Sequence, residues 1–305
     1  MSSLLALQQR SQLLQVVRSF FTTRDFLEVD TPLLLPNIIP ESQILSFRCE
    51  DSFLHTSPEL PMKMLLAQGA DKLFQICHCF RKGERGRLHL PEFTMLEWYR
   101  AGWSYEELML QCEEFLGTVA KEMVVCSGID ADGDLLRYGR KISLLPPWQR
   151  LSVAEAFGEY SDLSPEEAIE QDLFDEILVT KIEPNLGWER PTFLYDYPVS
   201  LGSLARCKEE NPTVAERFEL YIGGIELANG FSELIDPEEQ RRRFVYEIEQ
   251  MRVNSNIKLS MPEEFLQSLS SMQDTAGIAL GFDRLLMLLT GLDRVEKIVP
   301  LVLEV

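Results

Sequence analysis

Two sets of side chains in this 305-residue chain have the types and spacings to do chemistry. The first is cationic: Arg81, Arg85, Arg87 and His89 crowd around one polar, glycine-punctuated stretch, and Arg284 follows much later. Guanidinium groups match phosphate and carboxylate oxygens two at a time, so such a set can clamp a triphosphate. A short basic cluster reads equally well as solvated loop charge. The second set is acidic. Glu219, Glu226 and Glu233 lie seven apart within F-E-L-Y-I-G-G-I-E-L-A-N-G-F-S-E-L. Two carboxylates facing one point can hold Mg2+ beside phosphate oxygens, and a carboxylate near Asn229 can receive an ammonium group. Taken alone, surface acids explain the same residues.

Two smaller groups have the same double reading. Thr56-Ser57-Pro58-Glu59 opens a helix with proline at its start, or turns Glu59 toward a ligand amine. Strand alternation places Glu97 and Tyr99 on one face and Trp98 on the other. Neither G-x-x-x-x-G-K-[ST] nor G-x-G-x-x-G at a strand–helix junction occurs. A bound nucleotide must therefore be held by side chains.

The elements that position these residues are legible in outline. Leu13, Val17, Phe20 and Phe21 recur at helical steps within an amphipathic helix from Leu4 to Phe21. Phe26-Leu27-Glu28-Val29 then reads as a strand that stops before Pro32. Residues 73–81 and 93–100 read as two strands joined by a loop too long for a tight hairpin. Ser104-x-x-Glu107, Ser164-Pro165-Glu166-Glu167 and Asp236-Pro237-Glu238-Glu239 mark helix starts. Turn residues and Pro146-Pro147 make 126–147 a connection. Strands flank Gly223-Gly224, and Gly277–Gly281 leads into an apolar helix after Asp283-Arg284. Helices and paired strands without regular βαβ alternation predict an α+β fold with an antiparallel sheet flanked by helices.

Composition sets bounds. The chain has 49 acidic residues against 29 Lys+Arg, a formal net charge of −20, and 45% hydrophobic residues. That apolar content builds a core and excludes a disordered acidic tail. The charge disfavours a broad nucleic-acid surface while leaving room for a small basic pocket. The triplet Arg241-Arg242-Arg243 follows Glu238-Glu239 at helical spacing, which predicts ion pairing rather than RNA binding. Six cysteines without a C-x-x-C pair, beside three histidines, argue against structural zinc, and Cys77 and Cys79 read as buried strand thiols. Neither a signal peptide nor a long apolar span is visible, which predicts a cytoplasmic, soluble protein with no membrane partner.

In their order, these pieces resemble the catalytic domain of class II aminoacyl-tRNA synthetases, and within it the lysyl branch. Motif 1 is the opening helix with F-L-E-V-D-T-P, motif 2 is F-R-K-G-E-R-G-R-L-H-L-P-E-F-T-M-L-E-W-Y-R (80–100), and motif 3 is G-I-A-L-G-F-D-R-L (277–285). T-S-P-E (56–59), N-P-T-V-A-E-R-F-E-L-Y (211–221) and G-I-E-L-A-N-G-F-S-E-L (224–234) fall between them. The resemblance covers essentially the whole chain, so residues 1–305 are expected to form one such domain without an anticodon-binding domain before it. F-T-M-L-E-W-Y-R, and Ala279 where tRNA-charging enzymes have glycine, resemble the free-standing, protein-modifying members of the branch.

The resemblance implies adenylation with ATP and Mg2+. Arg81 and Arg284 are then the catalytic cations. Arg81 bridges the substrate carboxylate and the α-phosphate, while Phe93 and Arg284 sandwich adenine. His89 reaches the outer phosphates. Lys82, Gly83, Glu84, Leu90, Glu226, Leu227 and Gly281 complete the ATP site, and Glu219 and Glu226 hold Mg2+. Ser57, Pro58, Glu59 and Asn229 surround one substrate amino group, Tyr99 and Glu233 take the ε-ammonium, and Ala279 shapes the space between. The implied substrate is (R)-β-lysine or lysine, the implied acceptor a lysine of elongation factor P, with no tRNA. A truncated tRNA-charging enzyme and an inactive regulatory paralogue stay open. A homodimer is implied by motif 1, with the apolar face of residues 13–21 as its interface. Two departures stand out: the usual R-x-E is Arg81-Lys82-Gly83-Glu84, and the usual H-N-P-E-F has Leu90, so any adenine contact there runs through backbone.

Overall fold

Alternation along a few long strands decides the architecture of the chain, whose computed structural model describes residues 4–123, 126–255 and 259–300. The ends of the proposed 1–305 domain lie outside those residues. The main sheet has eight strands: β1 (Leu27–Glu28), β2 (Lys72–Phe80), β3 (Glu92–Ala101), β4 (Gln149–Ser152), β5 (Thr192–Pro198), β6 (Val214–Ile222), β7 (Ile225–Ser232) and β8 (Thr275–Gly281). Their spatial order is β1-β2-β3-β8-β7-β6-β5-β4. The six central strands pair antiparallel, but β1 runs parallel to β2 and β4 parallel to β5. The sheet is thus mixed at both edges rather than wholly antiparallel. Long helix-bearing connections, 29–71 and 153–191, make those parallel crossovers possible.

One sheet face is the core. Phe74, Leu96, Trp98, Phe193, Phe218, Leu220, Ile278 and Leu280 all point there and are buried. They pack under three helices, α1 (Leu4–Thr22), α3 (Tyr105–Glu122) and α4 (Phe282–Thr290); α2 (Glu59–Ala67) lies elsewhere, among the apolar side chains around Leu73 and Tyr99. Buried Trp98 donates its indole N–H to Gln111 at 2.8 Å, so its polar atom is satisfied. Leu13, Val17, Phe20 and Phe21 belong to this same core, and Phe21 stacks on Phe74 at 4.9 Å. The helical face at 13–21 is therefore covered by its own chain, which corrects its reading as an uncovered interface. The exposed apolar residues of this region are instead Leu4, Leu5, Leu7, Leu27, Leu33 and Leu34.

Local rules account for the rest. Ser104 and Ser164 each form a capping box, and Asp236 accepts the backbone N–H groups of Glu238 and Glu239. Gly223 and Gly224, at φ 57° and 72°, make the tight turn between β6 and β7. The connection at 126–147 contains a hairpin, Leu135–Arg137 with Arg140–Ile142. Its turn holds Tyr138 at φ 47° before Gly139, and a tyrosine is no usual signal for that conformation.

One buried ion pair fastens core to site. Arg10 on α1 donates to Asp283 Oδ1 at 2.6 Å and to Thr94 Oγ1 at 2.5 Å, while Thr94 N donates to Asp283 Oδ2 at 2.7 Å. Removing one partner strands a buried charge. Asp283→Ala is expected to lose about 3–5 kcal/mol of stability, read by chemical denaturation; a loss under about 1 kcal/mol would show that the pair does not anchor α4.

Candidate active site

The opposite sheet face is polar, and cross-strand register builds it in rows. One row runs Gln75, Glu97, Ala279, Asn229, Glu219 across β2, β3, β8, β7 and β6. The next row runs Tyr99, Gly277, Phe231, Arg217. Register partners share a face, so residues far apart in sequence converge on one floor. Above it lies a cavity of about 300 Å³, in the size range of small-molecule sites.

Cations gather at one end. Arg284, in the first turn of α4, donates to the Glu226 carbonyl at 2.7 Å, to Glu226 Oε2 at 3.1 Å and to His89 Nε2 at 2.6 Å. His89 must be neutral to accept that bond. Its burial, then the Arg284 charge, holds its basicity below the usual imidazole range. Despite its burial, Glu226 is kept below the usual carboxylate range by Arg284. The Arg81 guanidinium lies 5.1 Å from the Phe93 ring centroid and 3.8 Å from Glu84. The loop's additional residue is absorbed at Gly83, whose φ of 86° turns the chain so that Glu84 reaches Arg81.

Glu219 is tightly held. Arg217 donates to its Oε1 at 2.6 Å, and Tyr197 and Tyr221 donate to its Oε2 at 2.7 and 2.6 Å. A carboxylate offers about four lone-pair directions, so Glu219 keeps one while Glu226 keeps more. Both line the cavity, and this oxygen-only pair fits a Mg2+ ion that takes its other ligands from phosphate. Glu183 reaches Tyr221 at 3.2 Å, and burial lifts its pKa to about 7, with Glu219 and Glu226 adding repulsion.

Carboxylates gather at the other end. Lys63 on α2 is buried and pairs with Glu59 at 2.5 Å and with Glu233. Tyr99 Oη donates to Glu97 Oε1 at 2.5 Å, and Glu97 Oε2 has no hydrogen-bond partner among the described residues. Gly277 is required here: a Cβ on it would lie 2.2 Å from the Tyr99 ring and 2.6 Å from Glu233 Oε1. Two carboxylates thus share one resident ammonium and Glu97 has no cation paired with it, an arrangement that suits a ligand with two more ammonium groups.

Most sequence-predicted residues meet around the cavity: Ser57, Glu59, Arg81, Glu84, His89, Leu90, Phe93, Tyr99, Glu219, Glu226, Leu227, Asn229, Ala279, Gly281 and Arg284. Pro58, Lys82, Gly83 and Glu233 do not line it. Ser57 also accepts the Glu59 N–H at 3.1 Å, so helix start and cavity wall are one feature. Sequence reasoning missed Glu97, Lys63 and Arg217. Alternation had put Glu97 beside Tyr99; Lys63 carries the helical i,i+4 signal from Glu59, and Arg217 the strand i,i+2 signal from Glu219.

Burial pushes Glu97 well above the usual carboxylate range, with the Glu59 charge adding to it, and lifts Glu233 to about 8 although Lys63 pulls the other way. Both carboxyls therefore hold a proton more readily than a free carboxyl does. An ammonium entering the pocket favours their ionised forms and expels those protons, so lower pH opposes binding. The KM of a diamine ligand is expected to fall from about pH 6.5 to about pH 8.5, by up to about tenfold per pH unit for each proton expelled. Steady-state titration of KM checks this; a KM that rises over that window refutes it.

Comparison with known proteins agrees with this geometry. Residues 2–303 match the family model of class II tRNA synthetases (D, K and N). The elongation factor P–(R)-β-lysine ligase of Proteus mirabilis is 34% identical across 98% of this chain and 95% of its own length. The protein of that name from Photorhabdus laumondii is 35% identical across 96% of this chain and 93% of its own. With a matching model over nearly every residue and relatives aligned end to end, the chain belongs to the class II tRNA synthetase family.

Proposed function

We propose that this chain is an ATP-dependent ligase that activates (R)-β-lysine, or lysine, and transfers it to a lysine ε-amine of elongation factor P. One observation carries the reading: a cavity with Arg81 and Arg284 at one end and Glu59, Glu97 and Glu233 around a single lysine at the other. In the first step the amino-acid carboxylate attacks the ATP α-phosphate, and pyrophosphate leaves. Two anions must meet, so positioned cations matter more than proton transfer, and the carboxylate is already ionised. Arg81 is placed to bridge them. Phe93 and Arg284 are placed to face adenine, and Arg284 would exchange its bonds to Glu226 and His89 for the nucleotide. Mg2+ held by Glu219 and Glu226 would neutralise phosphate charge.

Specificity lies at the acidic end. Glu97 with Tyr99 receives the ε-ammonium, Glu233 acts from behind through Lys63, and Glu59, Ser57 and Asn229 face the second amino group. A neutral analogue leaves buried carboxylates unpaired and is rejected. In the second step the acceptor amine attacks the adenylate, forming an amide and releasing AMP. The eight-stranded sheet draws on residues from 27 to 281, which supports one catalytic domain over 1–305. Exposed Leu4, Leu5, Leu27 and Leu34 support a homodimer built on the first helix and strand. Among the described residues no helix is long and apolar enough to cross a membrane, in keeping with a cytoplasmic place.

The test supplies ATP, Mg2+ and either α-lysine or (R)-β-lysine, with purified elongation factor P or lysine tRNA as acceptor. A mass increase on the protein, with unmodified tRNA, is expected. Charged tRNA with unmodified protein supports the truncated synthetase instead, and no AMP from any combination supports an inactive paralogue. Ala279 stands between Glu97 and Asn229 in the floor, so its methyl separates the two amino-group sites. Ala279→Gly is expected to shift the ratio of kcat/KM toward α-lysine by about tenfold; an unchanged ratio removes Ala279 from the specificity argument.

A further inference from the structure

Beside the carboxylate clusters, the same sheet face carries another set of convergent donors. β2 turns Cys77 and Cys79 to this face, next to Gln75 in the floor. His55 follows the short strand Ser52–Leu54 and is fixed against β2, where its carbonyl accepts the Phe80 N–H at 3.0 Å. All three side chains are buried. The two sulfur atoms are 3.9 Å apart, and His55 Nε2 lies 4.0 Å from Cys77 Sγ and 3.9 Å from Cys79 Sγ.

These distances describe a nearly equilateral triangle, and its centre lies about 2.3 Å from each corner, which is a zinc–thiolate bond length. The bond from His55 Nε2 to the His78 carbonyl holds the imidazole over β2 at 2.7 Å, between the two thiols that flank residue 78. Met95, the register partner of Cys77, adds a thioether to the same cluster. The donor set is soft throughout. Thiolate, thioether and imidazole select ions such as Zn2+ and Cu(I), whereas Mg2+ prefers the oxygen ligands of Glu219 and Glu226. The missing C-x-x-C hid this from sequence spacing: the third donor comes from residue 55, and the two thiols alternate along one strand.

We propose that His55, Cys77 and Cys79 form a buried site for one thiophilic d10 cation, Zn2+ or Cu(I), in the wall of the active-site cleft. Two S–H bonds break, two metal–sulfur bonds form, and both protons leave to solvent. The imidazole stays neutral. Its Nε2 proton, now donated to the His78 carbonyl at 2.7 Å, moves to Nδ1, which has no partner among the described residues. Nε2 is then free to ligate once the ring turns from the His78 carbonyl toward the two sulfur atoms. Two thiolates balance Zn2+ fully, so the loaded site is neutral where it is buried; with Cu(I) it keeps one negative charge. Phe93 and Ala279 pack on Cys77, Cys79 and Met95, so the ion would brace the wall that faces both substrates.

The test uses the full-length protein, purified with reductant and stripped by chelator. It is titrated with Zn2+, and anaerobically with Cu(I), each against a chromophoric chelator. One ion per chain is expected, with about two protons released per ion in weakly buffered solution. Cys79→Ser is expected to weaken binding at least about 100-fold, whereas Cys49→Ser and Cys207→Ser leave it unchanged. Should Cys79→Ser fail to fold by circular dichroism, Co2+ loading of the unaltered protein decides: thiolate-to-cobalt charge-transfer absorption supports the site, and its absence overturns it. Either cation retained at one per chain supports the proposal, and the tighter one names the occupant. Binding that survives Cys79→Ser in folded protein overturns it. So does binding that vanishes with Cys49→Ser, or a Cys77–Cys79 disulfide with no metal uptake.

Discussion

The carboxylate-rich end of the cavity is organised around Lys63. Its ammonium is buried between Glu59 and Glu233, and its partners hold it charged although burial opposes this. The pair Lys63–Glu233 also ties α2 to the residue that follows β7, two places distant in sequence. A buried pair of this kind is weak evidence for stability, because desolvation offsets most of the attraction. Its value here is different. With one cation supplied by the chain and three carboxyl groups in reach, each ammonium of an entering diamine meets a carboxyl group that it can ionise, and the substrate completes the balance.

The cation-bearing end of the cavity follows the opposite rule. There the chain supplies the cations and keeps them provisionally occupied. Arg284 rests on Glu226 and on neutral His89, and Arg81 rests near Glu84 and over Phe93. Glu219 is held differently, by three hydrogen bonds from Arg217, Tyr197 and Tyr221 that leave it one lone-pair direction. Arg284 makes as many bonds, but to a carbonyl, a carboxylate and a neutral imidazole, partners that an incoming anion can replace. The carboxylate fixes where charge must be neutralised, and the guanidinium meets the anion that arrives.

How much of this was legible follows from the range of each interaction. Helix starts at Ser104, Ser164 and Asp236, the two strands around 73–100 and the glycine turn at 223–224 are local, and local pattern found them. Glu97 was half legible: alternation set it beside Tyr99, but only packing shows that its carboxylate faces the cavity. Lys63 was legible only as the helical partner of Glu59 and Arg10 not at all, since Glu233 and Asp283 are brought near only by the tertiary fold. The covered face at 13–21 fails for the same reason, as a helical stripe does not say which surface it meets. Parallel edges escaped because strand direction depends on the length of crossovers, and β1 has just two residues to signal it.

The net charge of −20 acquires a location through these interactions. Arg242 and Arg243 share Glu239, and Arg241 pairs with Glu263, so the basic triplet is spent within its own helix and the next. Arg206, Arg217, Lys208 and Lys141 are likewise paired with carboxylates. At the cleft, by contrast, Arg81 and Arg284 hold their carboxylate partners only at 3.1 Å or more. A scaffold of this sign repels a phosphate backbone at long range and attracts an ammonium, while the arginines act only at contact distance. Long-range attraction for an amine and short-range clamping of a triphosphate are what the transfer of an activated lysine to a protein amine demands.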